Sequence, residues 1–124
     1  MQKQPDVPAP ESMLPLTPAM FHVLLSLSDT ERHGYGIIKE VESSTDNKVK
    51  LGPGTLYGLI KRMLADGLIQ ESEERPDPKL DDERRRYYRL TEFGRQVAAA
   101  EAKRLSELVD IALAKHILPK PQAG

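Results

Sequence analysis

Apolar and polar positions follow a changing period along this chain, and each change of period marks a predicted element. After Thr17, the residues Phe21, Leu24, Leu25 and Ser28, set against Val23 and Leu27, recur at helical spacing as one broad face. Thr17 is placed as N-cap and Pro18 as the first helical residue, where its missing N–H costs nothing. That helix is expected to end near Asp29. "TERHGYG" reads as a connection, its glycines breaking the helix, and Ile37, Ile38 and Val41 then form the stripe of a second helix from about Tyr35 to Ser44. A third helix is predicted from Pro53 to Asp66, closed by Gly67 as a left-handed cap. The period shortens to two in "LIQESE" and "RRYYRL", where Tyr88 and Leu90 alternate with Tyr87 and Arg89. These are two strands, joined by the hairpin loop "ERPDPKLDDER" with its own turn residues. Thr91 caps a last helix from Glu92 to Ile117.

The order helix, helix, helix, strand, strand, helix predicts a mainly α fold with a small β-hairpin. This is a winged helix-turn-helix with a long C-terminal dimerisation helix, a fold that by itself does not settle function. The expected division is a flexible, proline-rich N-terminal arm over 1–13 and the winged domain over 14–91. The dimerisation helix follows over 92–118, and a flexible tail over 119–124.

The third helix, "PGTLYGLIKRMLAD", holds two glycines where glycine costs roughly 1 kcal/mol against alanine. On a helical wheel Leu56, Leu59, Ile60, Met63 and Leu64 share one side, which must face the core. The opposite side gathers Gly54, Gly58, Lys61 and Ala65, with Thr55 and Arg62 on one flank and Tyr57 on the other. A helix entering the major groove gains from such a face: small residues allow close approach, while long cations reach phosphates and base edges. The alternative is a loosened surface helix whose cations are merely solvated. Arg84, Arg85, Arg86, Arg89 and Lys79 in the hairpin suit a wing that grips the DNA backbone, with Arg85 and Arg86 better placed than Lys79. Asp77, Asp81, Asp82 and Glu83 in the same loop can satisfy those charges as surface ion pairs worth little.

With these residues in view, the chain resembles the PadR family of bacterial transcriptional regulators. The matching pieces are "HGYGI" at 33–37, "PGTLYGLIKRM" at 53–63, "DGLI" at 66–69 and "RRRYYRLTEFG" at 84–94. The resemblance implies a dimeric winged-helix protein, usually a repressor, that leaves its operator when a small molecule or stress signal acts. It implies DNA-contacting roles for Thr55, Tyr57, Lys61 and Arg62, and a backbone contact for Tyr35. Two departures stand out: Gly58 occupies a position that is often proline in the family, and the wing is longer and more acidic than in many members. The short tail end resembles the compact subgroup with one C-terminal helix. Some of those proteins bind flat aromatic drugs between tryptophans at the dimer interface; this chain has no tryptophan, so that chemistry does not carry over.

Dimerisation is also expected from the residues alone. In the last helix Leu105, Leu108, Val109, Ile111, Ala112, Leu113 and Ile117 make more than one apolar stripe, beyond what a small domain can cover. Burying six such side chains is worth on the order of 10 kcal/mol before entropy. A two-fold copy of the same helix is the simplest cover; the alternative is the N-terminal arm folding back within a monomer. Two such domains predict a pseudo-palindromic operator with half-sites about one helical turn apart.

Composition narrows the remaining classes. The 124 residues suit one domain plus an appended element, and the absence of cysteine excludes disulfides and thiolate chemistry. The run "MFHVLLSL" is too short to span a bilayer and the start lacks a signal-peptide core, so a soluble, cytoplasmic protein is expected. A net charge of −1 means that any nucleic-acid binding must rest on a local patch. His22, His33 and His116 do not stand at metal-ligand spacing, and neither a nucleophile motif nor a phosphate loop occurs. No metal, cofactor or enzymatic activity is expected. Two functions remain open: a DNA-binding repressor released by a small-molecule effector of unknown identity, and a winged-helix protein–protein adaptor without DNA binding.

Overall fold

The computed structural model describes residues 8–72 and 86–120. Helix α1 (Pro18–Ser26) starts as its sequence dictates, with the Met20 N–H donating to the Thr17 hydroxyl at 3.2 Å and Pro18 in the first turn. It ends three residues before the expected Asp29. Ser26 and Ser28 each donate a hydroxyl proton to a carbonyl three residues back, Val23 and Leu25 respectively, both at 2.7 Å. Such bonds compete with the helix's own N–H groups for the carbonyls.

Helix α2 (Gly34–Ser44) is capped by His33, whose Nδ1 accepts from the Gly36 N–H at 3.0 Å. Asp46 and Asn47 then turn the chain with left-handed φ of 52° and 64°, a conformation these two residue types tolerate. Helix α3 (Pro53–Ala65) follows, and Gly67, at φ 75°, reverses the chain as expected.

Strand β2 (Ile69–Glu71) pairs antiparallel with β3 (Tyr87–Leu90), Ile69 opposite Leu90 and Glu71 opposite Tyr88. The connection expected to be read as a wing, with Lys79, Arg84 and Arg85, lies outside the described residues. One strand was not foreseen. Arg32–His33, assigned to a connection, forms β1 along the other edge of β3, giving a three-stranded sheet in the order β1-β3-β2. Two residues are too few to show an alternation; only pairing with Tyr87 and Tyr88 makes them a strand.

Helix α4 (Glu92–Ala114) is capped by Thr91, whose hydroxyl accepts from the Gly94 N–H at 2.9 Å. It stops before the expected Ile117. His116 takes a left-handed φ of 63°, the Ile117 N–H donates to the Ala112 carbonyl at 3.0 Å, and the His116 N–H to the Leu113 carbonyl at 3.1 Å. This is a Schellman ending, with histidine in the place glycine usually takes.

Met20, Val23, Leu24, Ile37, Val41, Leu56, Ile60, Met63, Leu68, Ile69, Tyr88 and Val97 form one buried core under the three short helices and the sheet. In the stretch assigned to an N-terminal arm, Pro10–Met13 makes a 3-10 turn that packs on α4. Leu16, just beyond it, enters the core. No helix among the described residues is long and apolar enough to cross a membrane.

Candidate nucleic-acid interface

Helix α3 divides as its wheel predicts, with one adjustment. Leu56, Ile60 and Met63 are buried and Leu59 partly so, whereas Leu64, expected in the core, is 38% exposed at the edge of the stripe. The opposite side is open. A Cβ built on Gly54 or Gly58 would meet nothing within 4 Å, and Thr55, Lys61 and Arg62 are exposed around them. Arg62 reaches Asp66 at a loose 3.8 Å, and Lys61 has no ion-pair partner among the described residues. Pro53 opens the helix without a side-chain cap, so the N–H groups of Gly54 and Thr55 point forward with no acceptor among the described residues. Bare backbone, two cations and free N–H groups thus share one exposed surface.

Tyr57 borders that surface, about half exposed, with its phenol lying over Gly34 at the start of α2. A Cβ at Gly34 would stand 2.8 Å from the Tyr57 Oη, so glycine there lets α2 and α3 approach around the ring. Tyr35 is exposed on α2, and its ring stacks with His33. Arg32, by contrast, is engaged within the fold: its side chain donates to the Ser26 carbonyl at 2.8 Å and pairs with Asp29 and Glu40 at 3.4 Å each. Arg86 is exposed and pairs with Glu71 at 3.5 Å, and Arg89 is exposed on β3. Arg85 falls outside the described residues.

Of the residues expected at a dimer interface, Leu105, Leu108, Val109, Ile111 and Ile117 are exposed and Ala112 is half-buried. Ile117 lies beyond the helix, in its Schellman ending. The half of α4 nearer the domain behaves differently: Gly94, Val97 and Glu101 are buried. Glu101, at 1% exposure, was not singled out by the sequence reading. Its carboxylate accepts from the Leu16 N–H at 2.9 Å and pairs with Arg104. The Arg104 guanidinium, opposed by burial and helped by the Leu16 N–H, holds that carboxyl below the usual carboxylate range. Its place four residues after Val97 on the buried stripe was the signal that could have found it. No group of His, Asp or Glu among the described residues could hold a metal ion.

Three small helices closed by a short antiparallel sheet, with the third helix presenting a bare cationic face, define a winged helix-turn-helix. A family model described as the transcriptional regulator PadR-like family matches residues 23–100, and the chain belongs to that family. Its members are regulators of transcription and not enzymes. The chain is 36% identical over 87 residues to the transcriptional regulator Rv3488 of Mycobacterium tuberculosis, covering 70% of this chain and 75% of that protein. It is 34% identical over 90 residues to an uncharacterised 37.1 kDa protein in transposon TN4556 of Streptomyces fradiae. That match covers 73% of this chain but only 24% of the longer relative. Among solved structures, a transcriptional regulator from Clostridium thermocellum superimposes with a TM-score of 0.64 at 24% identity, covering 80% of this chain and 89% of that one. The PcaV transcriptional regulator of Streptomyces coelicolor, solved in complex with its natural ligand, gives 0.62 at 23% identity, covering 81% and 62%. At that identity the likeness is one of fold.

Proposed function

We infer that the protein is a homodimeric, cytoplasmic repressor of transcription that binds a pseudo-palindromic operator through α3 and releases it when a small-molecule effector binds. The observation that carries this reading is the open side of α3, where Gly54 and Gly58 leave bare backbone between Thr55, Tyr57, Lys61 and Arg62. Glycines kept at a cost to the helix are accounted for if a duplex approaches closer than a methyl group allows. Lys61 and Arg62 then meet phosphates and base edges, the free N–H groups of Gly54 and Thr55 meet a phosphate, and Tyr35 meets the backbone. Arg85 and Arg86 belong to the wing on the adjacent phosphates. The apolar second half of α4 supports the homodimer, because Leu105, Leu108, Val109 and Ile111 there, and Ile117 just beyond, stay exposed among the described residues. Ligand binding by PcaV supports an effector by analogy of fold.

Titration of the full chain against a duplex from upstream of its own gene and a random duplex, at about 50 and about 200 mM salt, tests the reading. Tighter binding to the upstream duplex with a steep loss of affinity at the higher salt is expected. Absence of binding to either duplex at low salt removes the repressor and leaves the protein–protein adaptor.

A further inference from the structure

The face of α2 turned away from the core carries Tyr35 and Lys39 one turn apart, both exposed. The Lys39 ammonium stands 5.2 Å from the centroid of the Tyr35 ring. That ring is stacked with His33 at 6.4 Å and 18°, and His33 meets the edge of Tyr87 at 5.3 Å. A row of rings therefore leads from strand β3, across the cap of α2, to a lysine. It runs beside Gly34, over which the Tyr57 phenol lies. Tyr57 and β3 belong to the two elements, α3 and the wing, that flank the duplex in the reading above.

Lys39 is also set apart from the other cation of this region. Arg32 is held by two carboxylates and a carbonyl, whereas Lys39 meets the Tyr35 phenol and, among the described residues, a single carboxylate, Glu42 at 3.9 Å, with its side chain 58% exposed. An ammonium has three donors, and with the Tyr35 phenol as one partner and Glu42 so distant, donors remain for a further acceptor. A lysine on its flexible stem ordinarily loses rotamer freedom when it binds. The Tyr35 ring restricts that freedom beforehand. The Tyr35 phenol, through a side-chain hydrogen bond, and then Glu42 raise the Lys39 pKa above its ordinary value.

We propose that Lys39, held over Tyr35, is a phosphate-binding cation that grips the DNA backbone beside the groove entered by α3, with Tyr35 as its positioning residue. The inference rests on the DNA-binding reading and adds to it a contact that carries charge but no base information. Lys39→Gln, Lys39→Arg and Tyr35→Leu, made in the full chain, test it against the same two duplexes across a salt series. Both positions are exposed, and matching melting curves verify the folds. Lys39→Gln is expected to weaken binding to both duplexes by one common factor and to lower the slope of log affinity against log salt by about 0.9 for each copy on the duplex. Lys39→Arg keeps the slope. Tyr35→Leu lowers it too, a change that losing a neutral phenol contact would not produce.

An unchanged slope in Lys39→Gln, with the wild-type protein binding normally, overturns this inference and leaves the DNA reading standing. Weaker binding with an unchanged slope in Tyr35→Leu overturns its positioning role. A wild-type protein that binds neither duplex overturns both readings together.

Discussion

Glycine is used in opposite ways at Gly58 and Gly94, and only the surroundings of the missing Cβ distinguish them. At Gly58 a Cβ would stand in open space, so alanine there relieves the helix of about 1 kcal/mol. Gly58→Ala is expected to raise the melting temperature while weakening binding to the upstream duplex by about tenfold, near 1.4 kcal/mol. Calorimetry beside a binding titration measures both, and tighter binding would contradict the close-approach argument. At Gly94 a Cβ would collide with the Leu68 carbonyl oxygen, a backbone atom that cannot swing aside. The first turn of α4 lies there because Thr91 donates its hydroxyl proton to the Gly67 carbonyl at 2.6 Å and its N–H to the Leu68 carbonyl at 3.1 Å. Gly94→Ala is expected to destabilise the fold by about 3 kcal/mol or more, read as a lower urea midpoint. Both glycines sit inside helices, and nothing in their local sequence separates them.

At the scale of elements, α4 is two helices in one. Its first half lies on the domain through Gly94, Val97 and Glu101, and its second half leaves the domain behind. Glu101 fastens the segment before α1 to this helix, since the Leu16 N–H and Arg104 share its carboxylate. Its folded pKa is depressed, chiefly by Arg104. The linked stability is therefore present above the ordinary carboxylate pKa and is lost as pH falls through the lower folded value. Glu101→Gln is expected to cost about 2 kcal/mol at neutral pH, and the gap from wild type to close in acid. Urea melts of both proteins at about pH 7 and about pH 3 measure this gap; a gap that stayed constant would mean that the charge contributes nothing. The boundaries of α1 and α4 obey the same local chemistry. Serine hydroxyls end α1, and a left-handed His116 ends α4. Neither ending interrupts the apolar periodicity, which is why periodicity alone overran both.

For the molecule as a whole, assembly turns on the far half of α4. Leu108 and Ile111, each about half exposed, have room for a polar side chain in a monomer and none in a packed interface. Ile111→Asp is expected to leave the monomer's helical spectrum intact, shift sedimentation toward the single chain, and reduce affinity for a two-half-site duplex far more than for one half-site. A wild-type protein that sediments as a monomer at micromolar concentration would remove the dimer from the proposal.

The chain's own periodicities determined the three short helices, the β2–β3 pair, the long last helix and the division of α3 into an apolar and a bare side. These follow from spacing and capping residues, Thr17, Thr91 and Gly67 among them, whose effect is complete within a few residues. Only the tertiary structure decided what depends on partners far along the chain. Arg32–His33 became a strand through Tyr87 and Tyr88, Gly94 became necessary through the Leu68 backbone, and Gly34 came to lie under the Tyr57 phenol. The buried role of Glu101 came from Leu16, a residue 85 positions away. A contact between distant segments leaves no period in either one, because each segment meets only its own neighbours until the chain has folded.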